Sequence, residues 1–314
     1  MGSNATAPNV DILLGTYNGE RFLGEQLRSI EAQTFSSWRV IARDDGSSDG
    51  TRSMLEEFGH RYGERFQLIT DDAGRLGPAG NFGRLLAAST APFVCFCDQD
   101  DVWLPEKVAT LVEAAQTRPT NQPLLVHSDL EVVDDALRPV SPSFWAFEGI
   151  SPSRDSLNQL LVQNCVTGCA CLINDRLREI ALPVPPAAIM HDWWLALVAA
   201  ACGEIRPVPA ALVRYRQHGS NDTGAKRWGP ALWLGHARGL FRPGPYRKKA
   251  AKYRAQAAAL DSVPHGGHRP LRRKLASDFA RLAERPYLAR VRFVLQNQIL
   301  MTGFLRNILW LRSV

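Results

Sequence analysis

The sequence lacks both glycine-rich phosphate cradles common at nucleotide sites. No G-x-G-x-x-G and no G-x-x-x-x-G-K-[ST] occurs in its 314 residues, which excludes a dinucleotide fingerprint and a P-loop. No C-x-x-C pair occurs among the cysteines at 95, 97, 165, 169, 171 and 202, so a structural zinc site is unsupported. Cys95 and Cys97, two apart on an expected strand, share a face and cannot readily bridge; buried free thiols in a reduced, cytoplasmic protein are the simplest reading. Long apolar runs are missing too. The stretch "VLQNQILMTGFLRNILWLRSV" is broken by Gln296, Asn297, Gln298, Arg306 and Asn307, short of the roughly 20 consecutive apolar residues of a spanning helix. The opening "MGSNATAP" has no basic-then-apolar pattern, so residues 1–8 read as a disordered leader rather than a secretory signal. Internal repeats and low-complexity tracts are also wanting.

Acidic residues are scarce in one part only. Residues 225–314 carry 19 Lys/Arg against 3 Asp/Glu, a charge of +16, whereas residues 1–224 carry 18 against 28, a charge of −10; together they give the chain's +6. Two regions are expected, a catalytic domain over 9–224 and a basic helical region over 225–314, with a boundary near Gly224.

What is present over the first half is alternation. "VDILLGT", "WRVIARDD", "FQLIT", "FVCFCDQDD" and "QPLLVHSDLEVVD" have strand character. The segments between them, such as "ERFLGEQLRSIEAQT" and "LPEKVATLVEAAQ", have helical spacing, with Ser47, Ser48 or Asp49 available to cap the second helix and Pro105 in the first turn of the fourth. The pattern predicts an α/β fold, a mainly parallel central sheet flanked by helices. Ligands bind beyond the carboxyl ends of such strands, and three of these ends carry polar clusters: "GTYNGE", "DDGSSDGT" and "CDQDD". Thr16, Tyr17 and Asn18 offer hydroxyls and an amide to a base or ribose. Asp44 and Asp45 can accept the imino N–H of a uracil or thymine, or cap the next helix.

The densest signal is "CFCDQDDVWLPEKV". Three carboxylates in four positions beside a phosphate repel it unless a hard cation intervenes, and Mg2+ or Mn2+ takes one or two carboxylates plus diphosphate oxygens. Asp100 is the expected ligand, Asp98 reaches the ribose or the metal through water, and Asp101 caps the following helix. In "MHDWWLALVAA", Asp192 opens an apolar helix as either an N-cap or the base that a group-transfer site needs. Its neighbour Trp193 suits stacking on a sugar, and His191 suits hydrogen bonding near the diphosphate. "VRYRQHGSN" sets Arg214, Arg216 and His218 where cations would stabilise a leaving diphosphate; a solvated strand edge is the bland alternative.

Together "DILLGTYNGERFLGEQLRSIEAQTF", "DDGSSDGT", "FCDQDDVWLPEK", "HSDL", "NCVTGCACLIN", "HDWWLALVAAACG" and "VRYRQHGSN" resemble a family 2 glycosyltransferase of GT-A type fold across residues 9–222. The "DQDD", "HDWW" and "YRQHG" set resembles its bacterial rhamnosyltransferase-like subgroup. The resemblance implies an inverting, metal-dependent transfer of a sugar from a nucleoside-diphosphate donor, rhamnose from dTDP-rhamnose by subgroup, to a glycan or lipid-linked glycan acceptor of a bacterial surface polysaccharide or lipopolysaccharide. Carried onto this sequence, Thr16 and Tyr17 contact the nucleotide, Asp45 the base, Asp98 and Asp100 form the D-x-D pair, Asp192 is the general base, and His218 lies near the diphosphate or metal. Two departures stand out: "GRLGPAGN" with Arg75 where relatives often begin with Asn, and "GAKRW", which keeps Arg227 and Trp228 but has Gly224 in place of the Gln of processive synthases. Single addition follows. A UDP-hexose donor, a sugar nucleotidyltransferase, a glycosidase and a non-catalytic carbohydrate- or membrane-binding protein are the rival readings. The basic region suits either an anionic membrane surface, on the inner face of the cell membrane, or packing on the catalytic domain; no motif in it supports nucleic acid.

Overall fold

In the computed structural model, residues 9–119, 121–219, 225, 244–264 and 270–314 are described. The expected leader 1–8, the boundary near Gly224, and Arg227 and Trp228 lie outside them. Among the described residues nine strands form one sheet: β1 (Val10–Thr16), β2 (Trp38–Asp44), β3 (Phe66–Ile69), β4 (Phe93–Asp98), β5 (Val102–Trp103), β6 (Leu124–Val133), β7 (Pro139–Ser141), β8 (Cys171–Asn174) and β9 (Glu204–Arg216). Their order is β3-β2-β1-β4-β8-β6-β9-β5, with β7 on β6. The first four are mutually parallel, β8 runs against β4 and β6, and β9 is parallel to β6. The sheet is therefore mixed, with β3, β2, β1, β4, β6 and β9 pointing one way.

The helices between these strands are α1 (Glu20–Glu31), α2 (Thr51–Tyr62), α3 (Gly77–Ala88), α4 (Lys107–Gln116), α5 (Phe144–Glu148), α6 (Leu157–Leu160), α7 (Asp175–Ala181) and α8 (His191–Cys202). They cover both sheet faces, which is why the central strands are apolar at consecutive positions rather than alternate ones. Adjacent residues nonetheless separate by face. Ile12, Leu14, Val40, Ala42, Cys95 and Cys97 join one core, while Leu13, Ile41, Val94 and Phe96 join the other. All six cysteines are free thiols.

Four helices follow the gap: α9 (Gly244–Ala259), α10 (Pro270–Ala280), α11 (Tyr287–Gln296) and α12 (Phe304–Leu311). Their apolar residues Ala250, Ala257, Phe279, Val294 and Trp310 belong to the same buried cluster as Trp194, Leu195 and Val198 of α8. Among the described residues no helix is long and apolar enough to cross a membrane.

Register delivers the three polar strand ends to one edge. Thr16 lies opposite Asp44, and Gly15 opposite Asp98. Pro207 and Pro209 lie within β9, where each lacks a ladder donor. They are tolerated because β5 meets β9 only at Val213 and Arg214, leaving the proline stretch unpaired on that side. Opposite β6 the register slips around Ser128–Glu131, where residues 209 and 210 have no partner.

Candidate active site

The first polar end is a closed hydrogen-bond web. The Thr16 hydroxyl donates to Asp44 at 2.9 Å, and Asp44 also accepts the Ser47 amide at 2.8 Å. Asn18, at φ +46°, takes a left-handed turn that its short amide tolerates; its backbone N–H donates to Ser47 Oγ and its Oδ1 accepts the Ser48 amide, both at 2.8 Å. The Tyr17 backbone is gripped on both sides by Gln99, at 2.8 and 2.9 Å, and the Arg75 guanidinium lies 3.9 Å over the Tyr17 ring. The segment marked as a departure in the sequence thus lies against the first strand end.

Asp45, the expected base contact, is engaged within the protein. Its carboxylate accepts Arg43 Nη1 and the Leu76 and Gly77 amides, each at 2.8 Å, and the residue is 3% exposed. Arg43 continues to Asp71, also at 2.8 Å. Together these three bonds latch the 71–77 loop to the second strand end.

At the second acidic end the predicted members come together. Asp100 Oδ2 and His218 Nε2 are 2.8 Å apart across 118 positions, with side chains 17% and 8% exposed. Ligand atoms of Asp98, Asp101 and Cys169 lie within 4.8 Å of one another. Burial, then the charges of Asp101, Asp100 and Asp192, push the Asp98 carboxyl well above the ordinary range; the buried Lys107 ammonium pulls the other way more weakly. Burial and the Asp100 charge likewise push Asp101 up to about 7. Ionising two carboxylates at this spacing costs on the order of 3 kcal/mol at an effective dielectric near 20. A divalent cation removes that cost. The mutually close groups are two carboxylates and the Cys169 thiol, and the Asp100–His218 pair would add an oxygen and an imidazole, an oxygen-rich set of the kind Mg2+ or Mn2+ takes. The donor set fits.

Two expectations for this corner are corrected. Asp101 caps no helix: β5 intervenes before α4, and Asp101 Oδ1 instead accepts the Arg216 amide at 3.1 Å. Arg216 is not a free cation for a diphosphate. It is 2% exposed, donates to the backbone oxygens of Asp100 (2.8 Å) and Asp135 (2.6 Å), pairs with Glu25, and stacks 4.6 Å over Phe22. Burial in the fold makes it a clamp on the acidic loop. Arg214 sits at the sheet rim, paired with Glu131. Pro105 likewise falls in the turn ahead of α4 rather than within its first turn.

Asp192 is the second residue of α8, and its carboxylate is not a cap. Oδ2 accepts the Gly168 amide at 3.0 Å, and Oδ1 accepts the Trp193 amide and, at 3.4 Å, Asn164 Nδ2. Burial pushes it up to about 6 against those bonds. That shift is worth about 3 kcal/mol, so burial outweighs the roughly 1 kcal/mol a helix start offers a carboxylate. Gly168 is needed at this approach: a Cβ there would stand 2.9 Å from His191 Nε2. His191 has both ring nitrogens without a hydrogen-bond partner among the described residues. Its ring is 4% exposed, with centroid separations of 4.1 Å to Phe82 and 5.1 Å to Phe96, and burial holds it down to about 3. A neutral ring between two phenyls brings no charge to a diphosphate. Trp193 is half-buried, its Nε1 donating to the Leu160 carbonyl at 2.7 Å.

Sequence reasoning missed Gln99, Asn164 and Lys107. Gln99 was visible inside "DQDD". Lys107, fully buried with Nζ 3.0 Å over Trp103 and donating to the Cys169 carbonyl at 2.7 Å, carries no sequence signal.

Comparison with known proteins shows the family and the fold. The dTDP-rhamnosyl transferase RfbG of Shigella flexneri is 28% identical over 263 residues, 79% of this chain and 86% of that protein. An uncharacterised glycosyltransferase of Nostoc sp., alr2836, is 27% identical over 219 residues, and the Escherichia coli UDP-Glc:alpha-D-GlcNAc-diphosphoundecaprenol beta-1,3-glucosyltransferase WfgD is 27% identical over 167. These two matches span 66% and 60% of the relatives' own lengths, less than two thirds of each. Among solved structures, Staphylococcus aureus TarS 1–349 with UDP-GlcNAc superposes over 97% of this chain and 87% of that one, at TM-score 0.59 and 15% identity. The mannosyltransferase PcManGT of Pyrobaculum calidifontis, with GDP-Man and Mn2+, covers 94% and 74%, at TM-score 0.53 and 17% identity. The fold is the α/β GT-A type shared by such transferases. The model of "Glycosyl transferase family 2" matches residues 11–180, more than half of the sequence, and the chain belongs to that family.

Proposed function

We propose that the chain is an inverting glycosyltransferase that moves one sugar from a nucleoside-diphosphate donor to a glycan or lipid-linked glycan acceptor of a bacterial surface polysaccharide. The observation that carries this reading is the convergence of two acidic sets, one at the strand ends and one at the start of α8. Asp98 and Asp100 with His218 form one, and Asp192 is close enough for its charge to act on Asp98. The Asp192 carboxylate takes the proton of the acceptor hydroxyl. That oxygen bonds to the donor's anomeric carbon while the bond from this carbon to the diphosphate breaks, and one displacement inverts the centre. Asp100, Asp98 and His218 would hold Mg2+ or Mn2+, which when bound neutralises charge gathering on the leaving diphosphate. Arg216 and Gln99 keep the loop and the Tyr17 backbone in place.

Rhamnose from dTDP-rhamnose is the donor reading favoured by RfbG, which aligns along most of both chains. A UDP-hexose donor is the second reading, favoured by WfgD and by TarS bound to UDP-GlcNAc. Incubation with Mn2+ and a panel of nucleotide sugars tests both: slow release of free sugar from one donor is the expected result, and no metal-dependent turnover of any donor refutes the reading. With the active donor, the rate is expected to fall as pH drops through about 6, approaching tenfold per unit below it, because protonated Asp192 accepts nothing. A pH-independent rate down to about 4 removes Asp192 as the base.

The basic region is proposed to seat the protein on the anionic inner face of the cell membrane. Its 19 Lys/Arg against 3 Asp/Glu support this, together with the exposed Leu288 and Phe304, each 79% exposed. Full-length protein should sediment with vesicles containing anionic lipid and release in high salt. Equal binding to neutral vesicles defeats the electrostatic account.

A further inference from the structure

A second recess lies beside Asp192 and is not part of the acidic corner. It is a cleft of about 330 Å3 lined by Asn164 and Trp193, by Tyr246, Lys249 and Tyr253 of α9, and by Arg306 of α12. Asn164 is common to the cleft and the base, its Nδ2 lying 3.4 Å from Asp192 Oδ1. The aromatic wall is held rigid. Trp193 and Trp310 spend their indole N–H groups on the Leu160 and Ile299 carbonyls, at 2.7 and 2.8 Å, and Tyr253 sits between them, with centroid separations of 5.4 and 6.0 Å. Fixed ring faces beside a carboxylate suit a pyranose, whose C–H face stacks while its hydroxyls point to the side. Among the described lining residues two cations, Lys249 and Arg306, face one carboxylate, Glu148, whose charge acts on Arg306, so this lining is net positive.

We propose that this cleft binds the acceptor as a sugar joined to a phosphate or diphosphate, with the ring on the Trp193–Tyr253 wall, a hydroxyl toward Asp192 and the phosphate against Lys249 and Arg306. The inference rests on the transferase reading above and gives the C-terminal helices a role in it: they supply half of the acceptor site. Phe304, exposed at the start of the helix that carries Arg306, offers an apolar contact to a lipid joined beyond the phosphate.

The test uses the full chain and three probes: farnesyl-diphospho-N-acetylglucosamine, N-acetylglucosamine 1-phosphate and octyl N-acetylglucosaminide, followed by tryptophan fluorescence. Lys249→Glu, at an exposed position, is expected to weaken the two phosphate-bearing probes about tenfold and leave the octyl glycoside unchanged. Tyr253→Ala is expected to weaken all three by a similar factor, with Tyr253→Phe restoring them. Tyr246→Ala, at the rim, serves if the thermal midpoint shows that Tyr253→Ala is misfolded. Tighter binding of the farnesyl probe than of the sugar phosphate assigns the lipid-linked source, and equal binding assigns a soluble one. Wild-type protein that binds none of the probes, or Lys249→Glu and Tyr246→Ala variants that bind all three as wild type does, overturns the proposal. Mn2+-dependent binding of UDP or dTDP, measured separately, judges the parent reading. Its absence with intact cleft binding refutes metal-dependent transfer from a UDP or dTDP donor and leaves a sugar-phosphate site.

Discussion

Asp192→Asn is expected to cut the transfer rate about a thousandfold while nucleoside-diphosphate binding in Mn2+ stays as it was. The substitution is nearly isosteric, and the amide oxygen can still accept the Gly168 N–H that the carboxylate accepts at 3.0 Å. What disappears is the capacity to take a proton. The acidic corner is built from other elements, and losing the Asp192 charge only eases ionisation of Asp98, so donor affinity has no reason to fall. Single-turnover rates and calorimetric titration with UDP or dTDP separate the two quantities. Full turnover in the variant strips Asp192 of its role; equal losses in rate and nucleotide affinity make it a structural residue.

Asp100→Ala should remove the metal-dependent part of diphosphate binding, a loss of at least about a hundredfold in affinity with Mn2+ present. The variant should still fold. Arg216 holds the loop through the Asp100 carbonyl oxygen, which alanine retains, not through its carboxylate. The carboxylate's described partner is His218 at 2.8 Å, so truncation leaves that imidazole facing the corner. Calorimetry with and without Mn2+ reads the result: the two titrations should coincide in the variant and differ in the wild type. A variant that still binds more tightly with Mn2+ shows the cation to be held elsewhere.

Much of the parallel half was legible because short apolar runs ended in polar clusters, and a strand sheathed on both faces by helices has that signature. The core positions of β1, β2 and β4 follow from it directly. Less visible was the return of the chain. Two prolines disguise β9, and a two-residue β5 has no periodicity to detect, so the partners of Asp101 and Arg216 could not be foreseen. Charge was the other blind spot. A sequence shows that Asp45, Arg216 and His191 exist, not that burial has committed the first two to internal bonds and neutralised the third. Residue type predicted the neighbourhood, and packing decided which groups stay available.

The Arg216 clamp makes the corner the work of distant parts of the chain. One guanidinium gathers Glu25, the Asp100 carbonyl and the Asp135 carbonyl, and its own amide reaches Asp101. A nascent polypeptide emerging from the ribosome could close β1 through β4 early, with both D-x-D aspartates already in place, yet it would lack the keystone until β9 had been synthesised and threaded alongside β6. If the corner holds the proposed cation, competence to grip it arrives after the scaffold that carries it.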